Sequence, residues 1–177
     1  MINLEKIFTD EAQPTPSLQI DFSRAIWATN QLNQIFHDAK TPLSDVDFVV
    51  ETEDAFLFIE CKNSNRVDAV NSNLNNPNLE KWAKKFYDSL NFLNFAQRLK
   101  NKKKICCFII EAENGDTVLR NRIKNILADM LPFALQKRNN FPSKMIDELE
   151  VLSFSEWNEK FPQFPLKRLI APIRHTQ

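Results

Sequence analysis

Residues 45–62 read Asp45-Val46-Asp47-Phe48-Val49-Val50-Glu51-Thr52-Glu53-Asp54-Ala55-Phe56-Leu57-Phe58-Ile59-Glu60-Cys61-Lys62, and this stretch decides the fold. Two β-branched and aromatic runs, 45–50 and 55–62, flank the polar Glu51-Thr52-Glu53-Asp54, which is the composition of a β-hairpin. If Val50 pairs with Ala55, Asp45 stands opposite Glu60 and Asp47 lies diagonally from it. Side chains alternate, so Lys62 joins these carboxylates on one face, with Val49, Phe56 and Phe58 nearer the turn. The other face, Val46, Phe48, Val50, Leu57, Ile59 and Cys61, is wholly apolar and requires a helical cover. A loop of odd length would send Asp47 and Glu60 to opposite faces.

Upstream, Gln13-Pro14-Thr15-Pro16 blocks helix propagation and makes residues 1–16 an arm. Ser17 then reads as an N-cap, and Leu18, Phe22, Ala25, Thr29, Leu32 and Phe36 recur at three- and four-residue spacing, predicting a first helix. Downstream, asparagine, serine and Pro77 dominate 63–78, the signature of a long loop. Leu79 to Leu99 is helical, with Trp82, Phe86, Leu90 and Leu93 in one stripe and Phe92, Phe95 and Leu99 in a second, as for a helix covered on two sides. Ile105–Ile110 is an apolar run of the kind buried in mid-sheet. Another helix runs from Asn114-Gly115-Asp116 to about Leu131, a second buried strand spans Leu149–Phe154, and a proline-rich tail wraps the surface. The order predicts an α/β fold, a mixed β-sheet flanked by helices on both faces, as one domain over 1–177 with an arm (1–16), a motif-bearing core (17–110) and C-terminal helices, strand and tail (111–177).

Scarcity narrows the chemistry. Gly115 is the only glycine, which excludes a P-loop or a GxGxxG cradle. His37 and His175 stand far apart, so histidine zinc sites and histidine-based triads lose their support. Cys61, Cys106 and Cys107 lie in apolar runs without a CxxC, which suits reduced, buried thiols and a cytoplasmic location. No window is long and apolar enough for a membrane span. If the chain is an enzyme, its chemistry is expected to rest on carboxylates and lysines.

Two carboxylates about 4 Å apart repel by roughly 4 kcal/mol at an effective dielectric near 20, so a cluster of Asp45, Asp47 and Glu60 calls for positive charge. Lys62 supplies one. Hard oxygen ligands without histidine or thiolate suit Mg²⁺, or Mn²⁺, better than Zn²⁺. An ion on Asp47 and Glu60 would polarise a phosphoryl oxygen and acidify a water, and Lys62 would orient or deprotonate that water and steady developing charge. The same residues also suit a plain solvated strand end with a Glu60–Lys62 side pair.

Asp47, followed by Phe48-Val49-Val50 and separated by twelve residues (48–59) from Glu60-Cys61-Lys62, resembles the core motif of the PD-(D/E)xK nuclease superfamily, the restriction-endonuclease-like fold. The resemblance spans Ser17 to Ile110. It implies a Mg²⁺-dependent deoxyribonuclease in which Asp47 is the metal-binding aspartate, Glu60 the second carboxylate and Lys62 the catalytic lysine. The implied ligand set adds the backbone carbonyl of Cys61, with Asp45 as the alternative to Asp47 and Asp21 as an additional acid on the first helix. The chain departs from the pattern in two respects: no proline precedes Asp47, and 37–44 leaves little room for the strand that normally precedes the aspartate strand.

Charge is unevenly spread. The chain balances 23 basic against 23 acidic residues, yet 1–60 is strongly acidic and 79–104 strongly basic. Lys81, Lys84 and Lys85 on one helical face, followed by Arg98, Lys102, Lys103 and Lys104, read as a phosphate-backbone track, with Asn63 and Ser64 as further phosphate contacts. A solvated helix face accounts for the same lysines. The expected partner is nucleic acid, with DNA the first choice, and a homodimer mate or partner subunit would supply any sequence reading; no membrane is involved. A nuclease-fold module that binds nucleic acid or assembles with protein without cutting is the alternative.

Overall fold

Alternation at the hairpin is realised as two separate hydrophobic interiors, one on each face of a central sheet. The computed structural model describes residues 11–15, 18–63, 76–99, 101–111, 117–139 and 143–168. In chain order the first elements are β1 (Glu11–Thr15), β2 (Leu18–Asp21), β3 (Trp27–Thr29), α1 (Leu32–Asp38), β4 (Phe48–Glu51) and β5 (Ala55–Asn63). There follow α2 (Asn76–Phe95), β6 (Lys103–Glu111), α3 (Thr117–Met130), α4 (Phe133–Asn139), β7 (Glu148–Leu152), α5 (Phe154–Lys160) and β8 (Leu166–Arg168). The main sheet has the order β3-β4-β5-β6-β7, and a smaller one the order β1-β2-β8. Strands β3, β4 and β5 form an antiparallel meander, whereas β6 and β7 add in parallel. The fold is therefore α/β, a mixed sheet with helices on both faces.

The inner strand β6 shows why. Cys106, Phe108 and Ile110 face one interior with Val49, Phe56 and Phe58, under α1, α2 and α3. Ile105, Cys107 and Ile109 face the other with Phe48, Val50, Leu57, Ile59 and Cys61, under Trp157 of α5, Phe161 just after it and Ile20 of β2. A strand apolar on both faces cannot sit at a sheet edge without exposing one of them. Val46 departs from the expected apolar face: it precedes β4 and joins the α2 side.

The predicted first helix over 17–36 is replaced by β2, β3 and the short α1. Its spacing was a coincidence of two interiors: Phe22 packs on the α5 side, Leu32 and Phe36 on the α2 side. Adjacent Trp27 and Ala28 are both buried, but in different interiors, which is the period of a strand. β3 supplies the strand for which 37–44 had no room, ahead of α1 rather than after it. Part of the expected arm is also a strand: β1 holds Pro14 at the rim of the small sheet, where the register slips between Ala12 and Thr15. The C-terminal segment is likewise more ordered than expected, since Ser153 and Glu156 form a capping box that starts α5. On α2 the first stripe is buried, but Phe95 of the second is 88% exposed, so cover on two sides fails at that end.

With glycine unavailable, α1 and α2 each end on a non-glycine residue at positive φ, Lys40 and Gln97. The paired turn bonds Thr41 N to Phe36 O and Arg98 N to Leu93 O close both ends. The second turn brings Arg98 back onto the sheet. No helix among the described residues is long and apolar enough to cross a membrane.

Candidate active site

The hairpin register differs from the expected one by two residues. Glu51 pairs with Phe56 and Phe48 with Ile59, so the register continued one step beyond β4 leads from Asp47 to Glu60, the place expected for Asp45. Thr52 is the reason: its N–H donates to Ala55 O at 2.8 Å and its Oγ1 accepts from Ala55 N at 2.9 Å, so Thr52 takes the place expected for Val50 and the loop begins two residues later. A shift of two preserves parity, and both carboxylates stay on the α2 face.

The approach to β4 is pinned residue by residue. Ser44 donates its N–H and hydroxyl to Asp88 Oδ2 of α2 at 2.8 and 3.0 Å. Val46 N donates to Ser89 Oγ at 3.1 Å. Cys61 N donates to Asp47 Oδ2 at 2.7 Å, so this side chain continues the ladder where β4 has not yet begun. In an extended strand a residue's N–H and C=O face the same neighbour, so the Cys61 carbonyl also faces the Asp47 segment.

Glu60 is 1% exposed and its charge is met by two lysines. Lys85 of α2 donates to Glu60 Oε1 at 2.8 Å and Oε2 at 3.0 Å, and its Nζ lies 3.8 Å from Asp47 Oδ1. Lys62 pairs with Glu60 Oε1 and sits 5.7 Å above the Trp82 ring. Burial, then the like charge of Glu60, pushes the Asp47 carboxyl up to about 6, against the opposing pull of Lys62 and Lys85. Burial would lower Lys85, but the charge and hydrogen bonds of Glu60 with the charge of Asp47 outweigh it and raise it. Asp47, Lys62 and Lys85 keep partial access to solvent, at 26%, 23% and 18%.

The structure thus brings Asp47, Glu60, Cys61 and Lys62 together as expected, and it adds Lys85. Lys85 had been assigned to the phosphate track, and its inward position is a correction. The signal was present: residue 85 lies three after Trp82 and four before Ser89, both buried, so it belongs to the inner face of α2. Asp45 is close by but turned to α1, where its Oδ2 accepts from Asn33 N at 2.9 Å; burial raises its pKa, and Glu60 adds to the rise. Asp21 is not on a helix and not in the site. It ends β2, accepts from Ser23 N at 2.8 Å, and that backbone bond lowers its pKa. Asn63 ends β5, and Ser64 lies outside the described residues.

The basic run is largely engaged elsewhere. Buried Glu51 binds Arg98 at 2.8 Å and Lys102 at 2.9 Å, and Lys102 also donates to Thr52 O at 2.6 Å. Arg98 stacks 4.6 Å over the Trp27 ring. Lys103 pairs with Glu148 at 3.1 Å, and Lys104 donates to Lys102 O at 3.3 Å. Lys103 is in register with Ala55, so this run sits about 16 Å along the strands from Glu60. Lys84 pairs with Asp88, and Lys81 is exposed one turn from Lys85.

Two carboxylates and a facing carbonyl are hard oxygen donors of the kind Mg²⁺ and Mn²⁺ prefer, and burial first, then the like charge of Glu60, raises the Asp47 carboxyl. Among the described residues no group of three His, Cys, Asp or Glu side chains is arranged to hold a metal ion. No family model matches this chain, and neither a curated protein nor a solved structure matches it.

Proposed function

We propose that this protein is a metal-dependent nuclease of the restriction-endonuclease-like kind, hydrolysing phosphodiester bonds in DNA. The observation that carries the reading is the meeting of Asp47 and Glu60 on one sheet face, with Lys62 and Lys85 on the same carboxylate. The topology supports it: a three-strand antiparallel meander carries the aspartate at its second strand and Glu-Cys-Lys on its third, followed by a helix and a parallel strand. Asp47, Glu60 and the Cys61 carbonyl would hold Mg²⁺ or Mn²⁺, which supplies a polarised phosphoryl oxygen and an acidified water. Lys62, partly open to solvent beside Glu60, would orient the attacking water and, as an ammonium, steady the charge that develops on the phosphoryl oxygens; only after giving up its own proton would it serve as a base. Trp82 under the Lys62 ammonium fixes its position. Buried free thiols at Cys61, Cys106 and Cys107 suit a reducing, cytoplasmic compartment.

One observation favours a second reading, a module of this fold that binds nucleic acid or protein without cutting: Glu60 already has two ammonium partners. A cleavage panel separates the two. Duplex, branched and single-stranded DNA and RNA are incubated with Mg²⁺ or Mn²⁺ and wild type or Lys62→Ala. Metal-dependent cleavage by wild type alone supports the nuclease; binding without cleavage on every substrate supports the second reading.

A further inference from the structure

The cation between the two carboxylates is one that the fold itself provides. Lys85 Nζ lies within hydrogen-bond reach of both Glu60 oxygens and 3.8 Å from Asp47 Oδ1. It comes from the third turn of a 20-residue helix, and the same helix pins the approach to β4 through Asp88 and Ser89. Its position is therefore set by the fold. Glu60 is almost wholly buried, so its charge needs a partner whether or not a metal ion is near, and water cannot provide it.

An ammonium seated on both Glu60 oxygens and a divalent ion on the same carboxylate compete, because Lys85 and Lys62 already take most of its lone pairs and the two cations repel each other at that range. We infer that Lys85 is a built-in competitor of the divalent ion: its ammonium holds the carboxylates together in the metal-free protein and must withdraw from Glu60 before Glu60 can ligate. The inference rests on reading Asp47 and Glu60 as metal ligands. Lys62 is a poorer candidate for the same role, since it sits beside Glu60 on the same strand and over the Trp82 ring, whereas Lys85 reaches from α2 to both Glu60 oxygens and toward Asp47. Lys85 has room to withdraw, because its side chain reaches solvent beside exposed Lys81. Lys85 is thus a positioning residue that tunes the occupancy of the site.

The test is direct binding of Mn²⁺ to the full chain without nucleic acid, read from the electron paramagnetic resonance signal of free Mn²⁺. Wild type, Lys85→Met and Lys85→Gln are compared. Both variants are expected to bind Mn²⁺ at least tenfold more tightly than wild type, and Mn²⁺ is expected to raise their melting temperatures further. A purely structural lysine would give the opposite, since losing it loosens the ligands. Lys85→Gln still donates a hydrogen bond to Glu60 and serves if Lys85→Met fails to fold. Equal or weaker Mn²⁺ binding by the variants, with wild type binding the ion, overturns the inference and leaves the nuclease reading standing. No binding by wild type or either variant at millimolar Mn²⁺ overturns both.

Discussion

Asp47 Oδ2 accepts the backbone N–H of Cys61 at 2.7 Å, so one side chain both completes the β4–β5 ladder and presents its second oxygen to the site. An asparagine can accept the same bond through its carbonyl oxygen, which allows the charge to be removed with the ladder kept.

The raised pKa of Asp47 gives this substitution a pH signature. Between about pH 4 and 6 the folded protein holds a proton on Asp47 that the unfolded chain has lost, so stability falls as pH rises through that window. In metal-free buffer Asp47→Asn should match wild type near pH 4.5 and exceed it by about 2 kcal/mol near pH 7.5. Denaturant unfolding at the two pH values measures this; a difference that does not change with pH would remove the electrostatic account of Asp47.

Lys62→Ala should slow cleavage by about 100-fold or more, the usual contribution of a positioned proton-transfer group. The fold should lose only about 1 kcal/mol, because Lys85 still holds both Glu60 oxygens. Single-turnover kinetics and urea unfolding read the two effects separately, and a variant that unfolds would assign Lys62 a structural role instead.

Glu51 provides the contrast. It is on the same sheet face but at the hairpin end, buried between Arg98 and Lys102. Glu51→Ala leaves two partly buried cations without their carboxylate and should cost about 3 kcal/mol. Mn²⁺ affinity measured on the folded variant should be unchanged, and a loss of affinity would show that the two charge clusters are coupled.

Lys81 is exposed one turn before Lys85 on α2, whereas the likewise exposed Lys84 is paired with Asp88. Lys81→Ala should weaken DNA binding and reduce the magnitude of the log–log salt slope by about 1. Lys103→Ala, about 16 Å away along the strands and paired with Glu148, should leave both unchanged. Fluorescence anisotropy across a salt series distinguishes them; equal effects would restore the longer basic track.

The sheet was legible where patterns are local. Alternation in 48–51 and 55–62 fixed which side chains share a face, and the run Ile105–Ile110 revealed an inner strand. The register was not, because it depends on whether Val50 or Thr52 stands opposite Ala55, and that is settled by the Thr52 hydroxyl and by Arg98 and Lys102, 47 and 51 residues from Glu51. β2 and β3, of four and three residues, are too short to impose a period on a sequence window, so the spacing of Phe22, Leu32 and Phe36 read as helical. Of the site, Asp47, Glu60 and Lys62 could be found because one hairpin carries them. Lys85 meets Glu60 across 25 residues of sequence, and only its place beside Trp82 on the inner side of α2 hinted at it.

β5 divides the protein's duties between its two sides. Phe56, Phe58, Glu60 and Lys62 look toward α2, while Leu57, Ile59 and Cys61 look toward α5. Exchanging the charged members would change the charge of the α2 side without disturbing the Trp157 interior, and repacking around Trp157 would leave Glu60 and Lys62 where they are. A lineage carrying this strand could lose, regain or alter its chemistry while inheriting the same scaffold.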